Sequence, residues 1–330
     1  MTNEADSSGK GIVVGFWFRL LADFLDVVLL GIVGFAAAFL LKDVFYGLGE
    51  QGWWIGLLVT FLYTGFLQTA IGDGQTFAKK ILKIQVLKED GSFMSLAESF
   101  FRYSVIAFIA YNGWIGNGLI ATFPVFQNSQ LFSAIYGLLV VLCLCGVVFI
   151  VPFHPLKQGL HDLLVNTVVV RKGRFTLEGL DALRNPQKAK RAYVIATVIF
   201  LVFAGGLFWF SQKAKTFLPE MDQLMAIKTS IEDSTGFSNV GVQKFWNKSG
   251  TETTTSLILS GFLVKSRFDD EQFVNSEAKK SVQLAIANLP GIKNYDVIVV
   301  RVRSGFNIGI SSLNFTRNLR FSTDGEPIKQ

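Results

Sequence analysis

The stretch GFWFRLLADFLDVVLLGIVGFAAAFLL, Gly15 to Leu41, restricts what this chain can become more than any other. It exceeds the roughly 20 apolar residues that cross a bilayer as a helix. Yet it carries Arg19, Asp23 and Asp26. In a helix these fall at i, i+4 and i+7, so all three project from one stripe. At 1.5 Å per residue, Asp26 is predicted roughly 13 Å inside a boundary near Trp17, close to the middle of a hydrocarbon core ~30 Å thick. A charge at that depth costs at least ~2.5–3.5 kcal/mol and persists only where it faces protein or water. Function is to be sought on this stripe.

The rest of the composition agrees with a membrane chain. Hydrophobic residues make up 50% and charged residues 17%, where a soluble chain carries about a quarter charged. Cys143 and Cys145 lie two apart in an apolar run and point to different faces of a helix, which argues against a mutual disulfide. Residues 1–16 read as a short cytoplasmic tail. The apolar run behind them is too long and too charged for a cleaved signal segment.

Five hydrophobic segments follow in order: Trp17 to Leu41, Trp53 to Ile71, Ala97 to Phe123, Leu131 to Phe153 and Tyr193 to Phe210. Lys79, Lys80, Lys83 and Lys88 follow the second, and a basic linker at 173–192 precedes the fifth. The two opposite connections hold only Lys42. Positive-inside bias therefore predicts a multi-pass cell-membrane protein with a cytoplasmic N-terminus and an extracytoplasmic region after the fifth span. Gly205 and Gly206 are expected to interrupt that span, and Asn112 with Gly113 to loosen the third near its outer end.

Two cytoplasmic segments share a form. GDGQTFAKKILKIQVLKEDGSF has Phe77 and Ile81 at helical spacing, with lysines around that stripe, as in a helix lying on an anionic leaflet. Alternation then begins at Ile84 and Val86 and ends at the turn Glu89-Asp90-Gly91. HPLKQGLHDLLVNTVVVRKGRF likewise offers a short helix at Leu160, Leu163 and Leu164, then a strand from Thr167 to Arg171. The two strands are predicted to pair, supported by the spans around them, because an isolated pair is marginal in water.

Taken together, Arg19-Leu-Leu-Ala22-Asp23-Phe-Leu-Asp26, the loop Gly74-Gln75-Thr76-Phe77-Ala78-Lys79 and the block His161-Asp162-Leu-Leu-Val-Asn166-Thr167 resemble the RDD family of bacterial membrane proteins. The resemblance covers residues of about 15–172. It implies a four-helix module at 17–172 in which Arg19, Asp26 and Asp162 match the family's arginine and two aspartates, with Asp23 an extra acid. Ala78 stands where the family loop usually has glycine, which matters if that glycine supplies a positive φ. The resemblance further implies transport, including exchange of a small cation for protons.

On that reading, Asp26 assisted by Asp23 forms the ion and proton pathway, since a carboxylate that loses its proton when a cation enters is the minimal part of an exchanger. Arg19 can reach Asp23 one turn deeper, or hold the pathway closed by pairing with Asp162. Arg102, His161, Thr76 and Thr167 are the supporting residues. The competing expectation is a scaffold or sensor in which buried Arg–Asp pairs only orient helices. His154 is expected in a loop.

From about Thr216 the apolar runs end. Residues 216–323 read as an extracytoplasmic α+β domain of order α, β, β, α, β, β. Leu218, Met221, Met225 and Ile231 are expected on one helical face, and Asn247 to Gly250 in a turn. A helix from Asp270 is expected to face the sheet, and Ser304-Gly305 to turn into a last strand with Phe306, Ile308 and Ile310. Arg301 and Arg303 share one strand face, where charges are more often solvated than ligand-binding. Neither nucleophile, phosphate-loop nor zinc-ligand spacing occurs, so no enzyme, cofactor or metal is expected. Lipid is the expected surroundings and a protein the candidate partner of the outer domain. Nucleic acid is not expected, because topology already accounts for the basic linker.

Overall fold

The computed structural model describes residues 11–123, 125, 129–217, 220–249 and 252–328. Residues 1–10 of the expected tail, Leu218 and Gly250 lie outside them. In chain order the helices and strands begin with α1 (Phe16–Leu40), α2 (Lys42–Leu48), α3 (Trp53–Leu67), α4 (Phe77–Ile81) and β1 (Ile84–Lys88). Then come α5 (Leu96–Ala110), α6 (Asn112–Thr122), α7 (Gln130–Val148), α8 (Ile150–Phe153), α9 (Leu160–Leu163) and β2 (Thr167–Arg171). α10 (Leu177–Leu183), α11 (Pro186–Phe217), α12 (Met221–Ser234), β3 (Ser238–Ser249) and β4 (Glu252–Phe262) follow. The last are α13 (Lys265–Asp269), α14 (Glu271–Asn288), β5 (Val297–Asn307) and β6 (Ser312–Phe321). The chain divides into two compact units, Met1–Gly34 with Trp53–Trp209, and Phe35–Gly52 with Phe210–Gln330.

In the first unit α1 buries Arg19, Ala22, Asp26, Leu30 and Gly34 along one stripe, while Trp17, Phe24, Val27 and Phe35 stay exposed. This inverts a water-soluble helix, as a helix in lipid requires. Among the described residues, three helices are long and apolar enough to cross a membrane: Phe16–Leu40, Leu131–Phe153 and Pro186–Phe210. The second and third expected spans take other forms. α3 has 15 residues, and the third breaks at Tyr111 into α5 and α6. Gly205 and Gly206 do not interrupt α11, which runs unbroken through them and into the basic linker. α3 and α5 approach through Gly65, where a Cβ would lie 2.1 Å from the Phe100 ring. Phe61 stacks on the same ring with centroids 5.1 Å apart.

β1 and β2 pair antiparallel, from Ile84 opposite Arg171 to Lys88 opposite Thr167. Residues before α1 extend this pair, with Val14 N–H donating to Val169 at 2.8 Å and Arg171 N–H to Ile12 at 2.9 Å. Both faces are covered. Ile84, Val86 and Val169 pack with Val14, Ala22 and Met94, while Leu87, Val168 and Val170 pack with Ile12, Leu156 and Leu180. That double burial is what a two-stranded pair lacks in water. Leu180 also corrects the expectation of a plain linker: α10 is an amphipathic helix docked by one fully buried leucine.

The second unit builds a four-stranded sheet of order β3-β4-β5-β6. β4 and β5 run parallel, joined through α13 and α14, and the other pairs are antiparallel. α12 and α14 cover one face, burying Ile227, Ile231, Val274, Ala278, Val282 and Ala285 over Leu257, Leu259, Ile298 and Val300. Asp270 caps α14, its side chain accepting from Phe273 N–H at 3.0 Å. Met225, expected on one helical face with Ile231, is exposed, because Leu224, Ile227 and Ile231 form the buried face instead. Ser304 and Gly305 are not a turn. The ladder to β6 continues through them, and the chain reverses beyond Ile308, whose N–H donates to Ser311 at 2.9 Å. Phe306 is fully buried in β5, with ring centroids 5.5 Å from both Phe45 and Tyr46 of α2.

Candidate functional site

Two buried polar clusters sit side by side on the stripe of α1. In the first, the Arg19 Nη1 donates to Asp162 Oδ2 at 2.7 Å and its Nε to the Val14 carbonyl at 3.0 Å. Arg102 of α5 approaches Asp162 Oδ1 with Nε at 3.0 Å and Nη2 at 2.6 Å, and donates from Nη1 to Gln68 Oε1 at 2.5 Å. Gly159 N–H at 3.2 Å and the Thr167 hydroxyl at 3.3 Å complete the carboxylate's shell. Asp162 is fully buried. Burial alone pushes its carboxyl up, but the adjacent His161 and the two guanidiniums reverse this and hold it well below the usual carboxylate range. Charge-assisted bonds from two forks on one carboxylate are the strongest polar contact a protein interior offers.

His161 lies against this cluster with Nε2 3.5 Å from Asp162 Oδ2. Burial pushes its imidazole down to about 4, so it is neutral at pH 7. The unfolded histidine, near 6.5, takes up its proton first as pH falls, so stability is full above ~6.5 and is lost toward 4. The midpoint of unfolding in detergent is expected to drop by the equivalent of about 2 kcal/mol between pH 6.5 and 5. Buried His154, shifted the same way by desolvation, adds to it. A flat profile in His161→Asn with His154 intact assigns the larger share to His161, and an unchanged slope refutes that.

In the second cluster Asp26 is held by neutral donors. Its Oδ1 accepts from the Tyr63 hydroxyl at 2.6 Å and the Ala78 N–H at 3.1 Å, and its Oδ2 from the Thr76 hydroxyl at 2.5 Å. Thr76 is the N-cap of α4, so Asp26 fastens the start of that helix onto α1. Lys79 Nζ lies 3.9 Å from Asp26 and donates to Asp23 Oδ1 at 2.9 Å. Ala78 takes a helical conformation here, so the position needs no positive φ; the left-handed residues nearby are Asp73 and Gly74.

All the residues singled out from the sequence, Arg19, Asp23, Asp26, Thr76, Arg102, His161, Asp162 and Thr167, meet in these clusters. Two expectations are corrected. Arg19 does not reach Asp23, because both its bonded nitrogens are engaged elsewhere, and Asp23 instead takes Lys79. Lys79 is not a leaflet-facing lysine but is buried at 4% exposure, while Phe77 and Ile81 face outward. His154 is buried too, its Nε2 3.3 Å from the Tyr193 hydroxyl. Tyr63, Gln68 and Lys79 were not legible as participants. The one available signal was the position of Lys79 opposite Phe77 and Ile81 on a single turn.

Spans of this length, joined to a helix-covered sheet, fit a polytopic membrane protein with a soluble α+β domain. Residues 13–166, just under half of the chain, match the model of the RDD family. Over 183 residues the chain is 24% identical to a Bacillus subtilis (strain 168) protein named "Uncharacterized protein YxaI", covering 48% of this chain and 97% of that protein. No solved structure gives a significant match.

Proposed function

We propose that this chain is a membrane sensor or scaffold whose outer domain grips the far end of α1 while the buried ion clusters hold its near end. The observation that carries this is the seating of α2, directly after α1, on the terminal sheet. Phe45 and Tyr46 pack on Phe306, and Tyr46 reaches Phe315 with centroids 6.4 Å apart. Gly52 leaves no room for a side chain, since a Cβ would lie 2.9 Å from the Asn307 carbonyl. Any partner that repacks the sheet therefore pulls on the helix bearing Arg19, Asp23 and Asp26.

Strand pairing supports four crossings before β2, and α11, long and apolar enough to span, adds a fifth. Ile12 and Val14 bond to β2 and β2 pairs with β1, so these three segments lie on one side of the membrane. If α1 crosses to α2, the chain must return before β1, through α3. If α7 crosses once, α5 with α6 must supply the other crossing between β1 and β2. α3 spans roughly 22 Å, so the bilayer is thinned around it or its flanks are wetted. With the basic segments inside, the N-terminus is cytoplasmic, and α2 and the terminal domain are extracytoplasmic.

Phe45→Ala in the full chain tests the coupling. Hydrogen exchange at 84–88 and 167–171 is expected to rise severalfold although the substitution lies in the other unit. Unchanged exchange there sinks the sensor reading. Exchange of a cation for protons keeps one specific observation: Lys79 shared between Asp23 and Asp26 could be displaced by an entering cation. Proteoliposome flux abolished in a folded Asp26→Asn variant would establish that reading instead.

A further inference from the structure

The face of the terminal sheet away from α12 and α14 is open, and one part of it is concave. A cleft of about 250 Å3 is lined by Asn239 to Gly241, Gln243, Ile258, Ser260, Arg301 and Arg303. Arg301 and Arg303 alternate with buried Val300 and Val302 on β5, so their side chains leave the same face about 7 Å apart. Ser260, opposite Arg301 in the ladder, adds a hydroxyl to the floor.

The cationic side of this cleft is under-compensated. Arg301 donates from Nε to Asn318 at 3.3 Å and has no carboxylate within ion-pair distance among the described residues. Arg303 meets the carboxylate of Glu50 only loosely, at 3.8 Å, and its buried Nε has no acceptor among the described residues. Asn239, held at φ +50°, donates its side-chain amide to the other oxygen of Glu50 and accepts from Arg303 at 3.5 Å through its carbonyl. A carboxylate of the chain itself thus already occupies the rim.

We propose that this cleft binds a small oxyanion, a carboxylate or a phosphate, between Arg301 and Arg303, in competition with Glu50. Guanidinium forks match the planar carboxylate and the phosphate alike. The volume suits a small metabolite-sized anion rather than a polymer segment. Glu50 belongs to the short turn between α2 and α3, so an anion that takes Arg303 from it loosens the seating of α2. That consequence rests on the sensor reading; the site itself does not.

The test is titration of the full chain in nanodiscs with inorganic phosphate and, separately, succinate, at constant ionic strength. Saturable binding of at least one below about 10 mM is expected, and the pair of titrations separates phosphate from carboxylate preference. Arg301→Gln and Arg303→Gln should each weaken it about tenfold or more, and Glu50→Gln should tighten it about threefold. Arg301→Lys, which keeps the charge but loses the fork, should fall between. Each variant is checked for an unchanged unfolding midpoint. No saturation with either anion, or equal binding by Arg301→Gln and the parent chain, overturns the site, and an unchanged Glu50→Gln overturns the competition. Bound anion with unaltered hydrogen exchange at 42–48 refutes the sensor reading and leaves the site standing.

Discussion

Asp162→Asn is expected to lower the stability of the helical module by about 3–5 kcal/mol. The substitution is nearly isosteric, so the loss is electrostatic: two buried guanidiniums, at 2.7 and 2.6 Å, would face an uncharged amide. Its nitrogen can only donate, so one arginine must also lose its acceptor. The pair itself need not be stabilising, since apolar replacements of buried ion triads are often neutral or better. Combining Arg19→Met, Arg102→Leu and Asp162→Leu should therefore recover most of what Asp162→Asn loses. Unfolding midpoints of the detergent-solubilised chain measure both. A change below about 0.5 kcal/mol in Asp162→Asn would show that the cluster is hydrated and does not hold the module together.

Gly305→Ala carries the second large effect, in the other unit. Gly305 sits at φ +141°, and a Cβ there would lie 1.8 Å from the Leu313 carbonyl oxygen. The strand cannot yield locally, because Ser304 and Phe306 on either side are fully buried and paired with Phe315 and Leu313. Backbone strain of roughly 1–3 kcal/mol adds to the lost ladder bonds, for about 3 kcal/mol or more. Hydrogen exchange across 297–307 and 312–321 should rise strongly while 84–88 keeps its protection unless α2 is also released. Wild-type protection of both strands would mean that the backbone at Gly305 relaxes freely.

How much of this was legible differs by element. The β1–β2 pair was readable because Ile84 and Val86 alternate and Thr167 to Arg171 is β-branched, bounded by glycine-containing turns. The Arg19–Asp162 pair was readable only as one of two alternatives, drawn from the resemblance of the His161-Asp162 block, because Asp23 one turn along α1 was an equally available acid. The turn expected at Ser304-Gly305 was not, because glycine marks both reversals and close approaches within a strand, and nothing local separates them. Nor was the docking of α10, where a charged segment hides one leucine that the β-pair needs.

Taken by itself, the amino-acid order determined that the chain enters a membrane, that α1 carries its charges on one stripe, and which segments alternate as strands. Those properties depend on spacing along the chain, which a reader of residues can measure. Only the tertiary structure decided that Asp26 is met by Tyr63, Thr76 and the Ala78 amide, that Lys79 is interior, and that α2 sits on Phe306. Such pairings join residues far apart in sequence, and a buried charge specifies that it needs partners without specifying which ones.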